Sequence, residues 1–220
     1  MELENSIQYK FNNIKLLEQA LTHKSYAYQN NVKSNETLEF LGDSILQFIT
    51  SKYLYIHYAE KNEGELSKIR ASVVCESSLY EIAKIHNISE YIRVSHSERQ
   101  NHGNEKKALL ADCIEAIIAA LYFDGGIEVA EKFILDNLTE AMINASSHVG
   151  EKDYKTVFQE KVQGKGSSNI QYRIVNEFGP DHKKTFVAEV IVDGKIIATG
   201  EGTSKKNAEM EAAKKALEKY

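Results

Sequence analysis

Two short stretches of this 220-residue chain place carboxylates among apolar residues, where they cannot sit without a reason. The first, ALLADCIEAIIAALYF at 108–123, is apolar on nearly every face, and its only charges are Asp112 and Glu115. An unpaired buried carboxylate costs several kcal/mol or is forced to protonate, so this pair needs a cation, a basic partner or an open cleft. Their i, i+3 spacing puts both on one helix face. The second stretch, ETLEFLGDS at 36–44, sets Glu36, Glu39 and Asp43 at i, i+3 and i+7, with Gly42 leaving room for a second backbone. Two helices that each aim carboxylates into one cleft make an oxygen-rich site suited to Mg²⁺ or Mn²⁺. In phosphodiester cleavage such an ion activates a water and neutralises charge on the phosphate oxygens. Spacing alone leaves internal salt bridges to Lys or Arg equally open.

The elements that must position these acids are helical from about residue 13 to 122. Ile14, Leu17, Ala20 and Leu21 share one face of a first helix. A longer helix, capped by Ser34 or Asn35, runs through Leu38, Leu41, Ile45, Leu46, Ile49 and Leu54. Further helices are predicted at 66–74, 77–86 and 108–123, with a stop at Asp124-Gly125-Gly126 and another helix at 129–143. The small and polar residues of 144–152 read as a short link. Beyond it the period changes: a helix at 154–162, alternating runs at 170–178, 185–192 and 195–202, and a last helix at 204–217. Asp193-Gly194 is a two-residue hairpin signal. The expected architecture is an all-α domain at 1–146, a link at 147–152 and an α-β-β-β-α domain at 153–220.

The net charge of −5 conceals two unlike parts. Residues 1–150 hold 14 Lys+Arg against 21 Asp+Glu, whereas residues 151–220 hold 13 against 11. An acidic part able to hold cations is followed by a mildly basic part able to approach phosphates. There is no apolar run of membrane-spanning length and no cleavable signal pattern at 1–11, so a cytoplasmic protein without a membrane partner is expected. Cys75 and Cys113 form no CxxC pair and read as reduced core thiols, with neither a zinc site nor a disulfide framework. A small-nucleotide phosphohydrolase is disfavoured because neither GxxxxGK[ST] nor a His-Asp pair occurs.

ETLEFLGDS at 36–44 resembles the signature segment of the ribonuclease III family. ALTHKSY at 20–26, EGELSKIRA at 63–71 and LADCIEA at 110–116 are similar to three further elements of the same catalytic domain, in the family's order and spacing. The resemblance implies metal and catalytic carboxylates at Glu39, Asp43, Asp112 and Glu115. Glu39, Asp112 and Glu115 would ligate an essential Mg²⁺, for which Mn²⁺ can substitute; Asp43 would help order water and metal, and Asp43 and Glu115 would act in catalysis. Glu36 and Glu63 match further acids at the edge of the family's cleft. The implied chemistry is hydrolysis of the backbone of double-stranded RNA, such as precursors of ribosomal and messenger RNA, leaving 5′-phosphate and 3′-hydroxyl ends. A homodimer is also implied, with the signature helix at its interface and Phe40 as an aromatic knob inserted into the partner; by spacing alone Phe40 reads as core. One segment departs from the pattern: the usually glycine-rich, arginine-bearing loop is SERQNHGNEKKALLAD here, with Asn104 after the single Gly103. His96 and His102 in this region read as solvated.

The C-terminal segment resembles a double-stranded RNA-binding domain. A-form duplexes are read through the shallow minor groove and the phosphates between grooves, which requires separated contacts. Gln159 and Gln163 share one face of the first helix, and FGPDHKK at 178–184 offers His182 as a second minor-groove probe. Lys205 and Lys206 add charge to a helix N-terminus that suits phosphates. Moderate, salt-sensitive affinity with little sequence preference is expected.

Overall fold

The computed structural model describes residues 2–148, 154–164, 169–180 and 184–219. The chain divides into two compact units, 1–150 and 151–220.

The first unit is helical: α1 (Glu2–Ser6), α2 (Ile14–Ala20), α3 (Lys24–Asn30), α4 (Glu36–His57), α5 (Glu63–Val73), α6 (Glu76–Ile85), α7 (Ile88–Tyr91), α8 (His96–Gln100), α9 (Lys107–Gly125) and α10 (Ile127–His148). At its centre is α9, buried from Leu110 to Leu121 except at Asp112 and Glu115. Helix α4 packs along it, and α6, α10 and α2 close the remaining sides. This is why α9 is apolar all round while α4 alternates between faces.

Several bounds differ from the periodicity for local reasons. Helix α5 starts at Glu63 because Asn62 and Glu65 form a reciprocal capping box, at 3.0 Å in each direction. At the start of α4, Asn35 holds the capping position, but its buried side chain makes no capping bond. Its N–H donates instead to the Thr22 carbonyl at 2.8 Å. Helix α9 continues through Asp124, whose carboxylate accepts from the Tyr9 hydroxyl and the Asn12 and Asn13 amides. It ends at Gly126, where φ is +86°. Helix α10 runs to His148, into the stretch read as a link, because Ala145 packs on the core and Ser146 and Ser147 bond back to the carbonyls of Ile143 and Asn144. The short helices α1, α3, α7 and α8 had no periodic signal long enough to find.

The two thiols part company. Cys113 is buried, whereas Cys75 is not a core thiol: it is partly exposed at the N-cap of α6, with its sulfur 3.0 Å from the Ser77 hydroxyl.

The second unit comprises α11 (Tyr154–Gln163), β1 (Ile170–Phe178), β2 (Thr185–Val192), β3 (Lys195–Gly202) and α12 (Lys205–Lys219), the α-β-β-β-α order expected. The sheet is antiparallel in the order β1-β2-β3. Val192 pairs with Lys195 across the Asp193-Gly194 turn, both of whose residues have positive φ, as a tight hairpin requires. Phe158, Val162, Ala188, Val190 and the alanines of α12 form the core. Gly200 brings β3 so close to α12 that a Cβ there would stand 2.1 Å from the Ala212 amide nitrogen.

Candidate active site

Glu39 of α4 and Asp112 and Glu115 of α9 meet: each offers one carboxylate oxygen, and these oxygens lie within 4.8 Å of one another. The meeting depends on the close contact of α4 and α9 at Gly42, whose missing side chain admits the Glu115 backbone. Glu39, one turn before Gly42, thereby reaches the face on which Asp112 and Glu115 lie. All three acids are half-buried. Among the described residues none of them is in an ion pair; Lys24, whose charge acts on Glu39 and Asp112, is itself paired with Glu36 at 3.5 Å. The salt-bridge alternative left open by spacing is therefore not the arrangement adopted.

The electrostatics express the crowding. Burial, and then the charges of Asp43, Asp112 and Glu39, push the Glu115 carboxyl up to about 8. Burial, Asp112 and Glu36 raise Glu39, with Lys24 opposing. Burial and Glu76 raise Asp112, again against Lys24. A cluster of like charges held together at this cost is relieved by a divalent cation, and its all-oxygen donor set suits a hard one. The residues fit a Mg²⁺ or Mn²⁺ site.

The other expected residues take distinct places. Asp43 is exposed beside the trio, accepts from the Gln47 amide at 3.3 Å and acts on Glu115 through its charge. Glu36 stands at the rim, held by Lys24 and by the Ser34 hydroxyl at 3.0 Å. Glu63 does not join the trio within the chain. It accepts from the Ser67 hydroxyl at 2.8 Å and lines an 810 Å³ groove with Tyr55, Leu66 and Arg70. Phe40 is 79% exposed, so the core reading that spacing favours is incorrect. It begins an outward stripe on α4 that continues through Phe48 and Tyr55. His96 and His102 are exposed and outside the trio. Asn104 donates its side-chain amide to the Ser89 carbonyl at 3.2 Å, which explains a non-glycine in that segment.

Sequence reasoning missed Lys24 and Glu76 as neighbours of the acids. Lys24 lay inside ALTHKSY, but only the fold brings α3 to the start of α4.

In the second unit Gln159 and Gln163 are both exposed on α11. Lys205 and Lys206 are exposed at the start of α12, where the Ser204 hydroxyl accepts from the Asn207 amide at 3.1 Å. His182 lies outside the described residues.

Residues 13–142 match the family model described as Ribonuclease-III-like. The chain belongs to the ribonuclease III family. Residues 154–220 match a second model, the double-stranded RNA binding motif. Among curated ribonuclease III relatives, Ribonuclease 3 of Clostridium tetani is 46% identical over 218 residues, covering 99% of this chain and 93% of the relative. Ribonuclease 3 of Clostridium perfringens is 46% identical over 220 residues, covering 100% and 93%. A solved nuclease domain of ribonuclease III from Campylobacter jejuni, described for flexibility in its dimer-forming region, aligns with a TM-score of 0.60 and 40% identity. It covers 64% of this chain and 96% of that one. No helix among the described residues is long and apolar enough to cross a membrane.

Proposed function

We propose that this chain is an endoribonuclease that hydrolyses double-stranded RNA with the help of a divalent metal ion, leaving 5′-phosphate and 3′-hydroxyl ends. The single observation that carries the reading is the convergence of Glu39, Asp112 and Glu115, none of them in an ion pair among the described residues. Glu39, Asp112 and Glu115 would hold Mg²⁺, with Mn²⁺ as a substitute. When bound, the ion supplies a water of lowered pKa and offsets charge on the phosphate oxygens. The chain's own residues do the rest. Asp43, exposed next to Glu115, accepts and orients the attacking water. Glu115, whose carboxyl holds a proton at neutral pH until a cation displaces it, links ion binding to the charge state of the site.

The second unit delivers the substrate. Gln159 and Gln163 meet a minor groove, His182 meets another, and Lys205 and Lys206 take phosphates between them. The link that joins the two domains follows the end of α10 at His148. A homodimer supplies one active site for each strand: Phe40 enters the open groove of Tyr55 and Leu66 on the partner, an arrangement supported by the exposed stripe on α4. Glu36 and Glu63 flank the cleft in that assembly. The site of action is the cytoplasm, on ribosomal, messenger and other structured RNA precursors.

The test is incubation of long duplex RNA and a single-stranded control in Mg²⁺, with the ends of the products mapped. Short duplex products with 5′-phosphates are expected. An intact duplex favours a protein that binds RNA without cutting it.

A further inference from the structure

Beside the carboxylate trio lies a second, open cleft of 820 Å³, whose lining includes Lys24, Gln29, Asn31, Ser34, Glu36 and Ser95. We propose that this cleft is a subsite for the ribose-phosphate backbone of the strand flanking the scissile bond, with the Lys24 ammonium taking a phosphate oxygen. The proposal rests on the endonuclease reading and adds a substrate contact within the nuclease unit itself.

Glu36, on the cleft wall, is one helical turn before Glu39 of the trio, so the cleft adjoins the place where a scissile phosphate would lie. Beside the apolar surface of Ala27, Tyr28 and Val32, the wall presents hydroxyls, side-chain amides and one ammonium, the groups that pair with 2′-hydroxyls and phosphate oxygens. The first unit is strongly acidic, with 14 Lys+Arg against 21 Asp+Glu, and a polyanion approaching its carboxylates needs a local cation. Lys24 is the cation whose charge acts on both Glu39 and Asp112.

The present partner of Lys24 is replaceable. Its pair with Glu36 is 3.5 Å long, with the side chains 66% and 53% exposed, and such a pair contributes little to folding. A phosphate can take its place while Glu36 keeps the Ser34 hydroxyl. The wall behind Lys24 is fixed: the Ser25 hydroxyl lies 2.8 Å from His23 Nδ1 and accepts from the Ser95 amide at 3.0 Å, joining α3 to the start of α8. The competing acid Glu98 is already occupied by Lys106.

The test uses the full chain and a duplex RNA of defined length in Mg²⁺ at several salt concentrations. Parent, Lys24→Gln, Lys24→Arg and Glu36→Gln are compared in steady state. Lys24→Gln is expected to raise KM about tenfold. The slope of log KM against log salt should fall by about one, the signature of a single phosphate that is no longer neutralised. Lys24→Arg should preserve KM and the slope, and Glu36→Gln should preserve the slope. A Lys24→Gln variant with the parent's KM and slope overturns the subsite while leaving the endonuclease reading intact. So does a loss confined to kcat and shared by Glu36→Gln, which would mean that Lys24 serves only to hold Glu36. A duplex left uncut by the parent overturns the endonuclease reading and the subsite with it.

Discussion

Gly42 lies against Glu115 so closely that a Cβ on it would stand 1.8 Å from the Glu115 carbonyl oxygen. The contact is with backbone and not with the end of a flexible side chain, and each backbone belongs to a long helix of the same core. Gly42→Ala must therefore push α4 and α9 apart at the point where their acids meet. The expected loss of stability is about 1–3 kcal/mol, the usual range for overpacking, and thermal unfolding measures it. Mg²⁺ protection against unfolding should fall as well, because Glu39 recedes from Asp112 and Glu115.

Glu115→Gln keeps the shape of the protonated carboxyl and removes its capacity to become a charged ligand. In the absence of divalent ions the variant should be at least as stable as the parent, while calorimetric Mn²⁺ affinity drops by about tenfold or more, the effect of removing one charged ligand. Duplex binding, measured by gel shift, should persist with cutting severely reduced.

The raised carboxyl of Glu115 gives the ion-free protein a defined pH response. Its folded value of about 8 lies above the ordinary value of 4.5, so the folded state binds the proton more tightly than the unfolded one. That contribution to stability is complete below 4.5 and is lost as the pH rises through about 8. Glu39 and Asp112, also raised, add in the same direction. A cation competes with these protons, so the rise in Tm produced by Mg²⁺ should grow from about pH 6 towards 8 and above. A Tm shift independent of pH contradicts this reading.

Phe40 is exposed, so Phe40→Asp should leave the fold intact by circular dichroism. Sedimentation should show the equilibrium moved from dimer to monomer. A dimer that persists in the variant at the parent's affinity removes Phe40 from the interface.

In the RNA-binding unit, Lys205→Ala with Lys206→Ala should weaken duplex binding equally for unrelated sequences. The salt slope of binding should fall by about two, one for each phosphate that the lysines no longer neutralise.

How much of this was legible in the sequence depended on the length of the signal. Helices α4 and α9 carry apolar spacing over many turns, and Asp112 and Glu115 stood out because nothing else charged occurs in their segment. The hairpin at Asp193-Gly194 was legible for the opposite reason, since two residues suffice to specify that turn. Helices α1, α3 and α8 were not, because helices of five to seven residues are held by tertiary contacts such as Ser95 N–H to Ser25 and not by periodicity. Phe40 was ambiguous because an exposed apolar residue on a helix can have the same spacing as one facing the core. The neighbourhood of Lys24 was invisible because it joins α3 to α4 across a turn whose path no local rule gives.

Carboxylate oxygens from α4 and α9 gather where a divalent ion would bind. Anomalous scattering from a crystal grown near pH 8, where the Glu115 carboxyl titrates, and soaked with Mn²⁺ measures this most directly. A peak is expected within bonding distance of Glu39, Asp112 and Glu115 together, lost in Glu115→Gln. A peak elsewhere, or a trio in which Asp112 or Glu115 turns to a lysine or arginine in the presence of the ion, would contradict it.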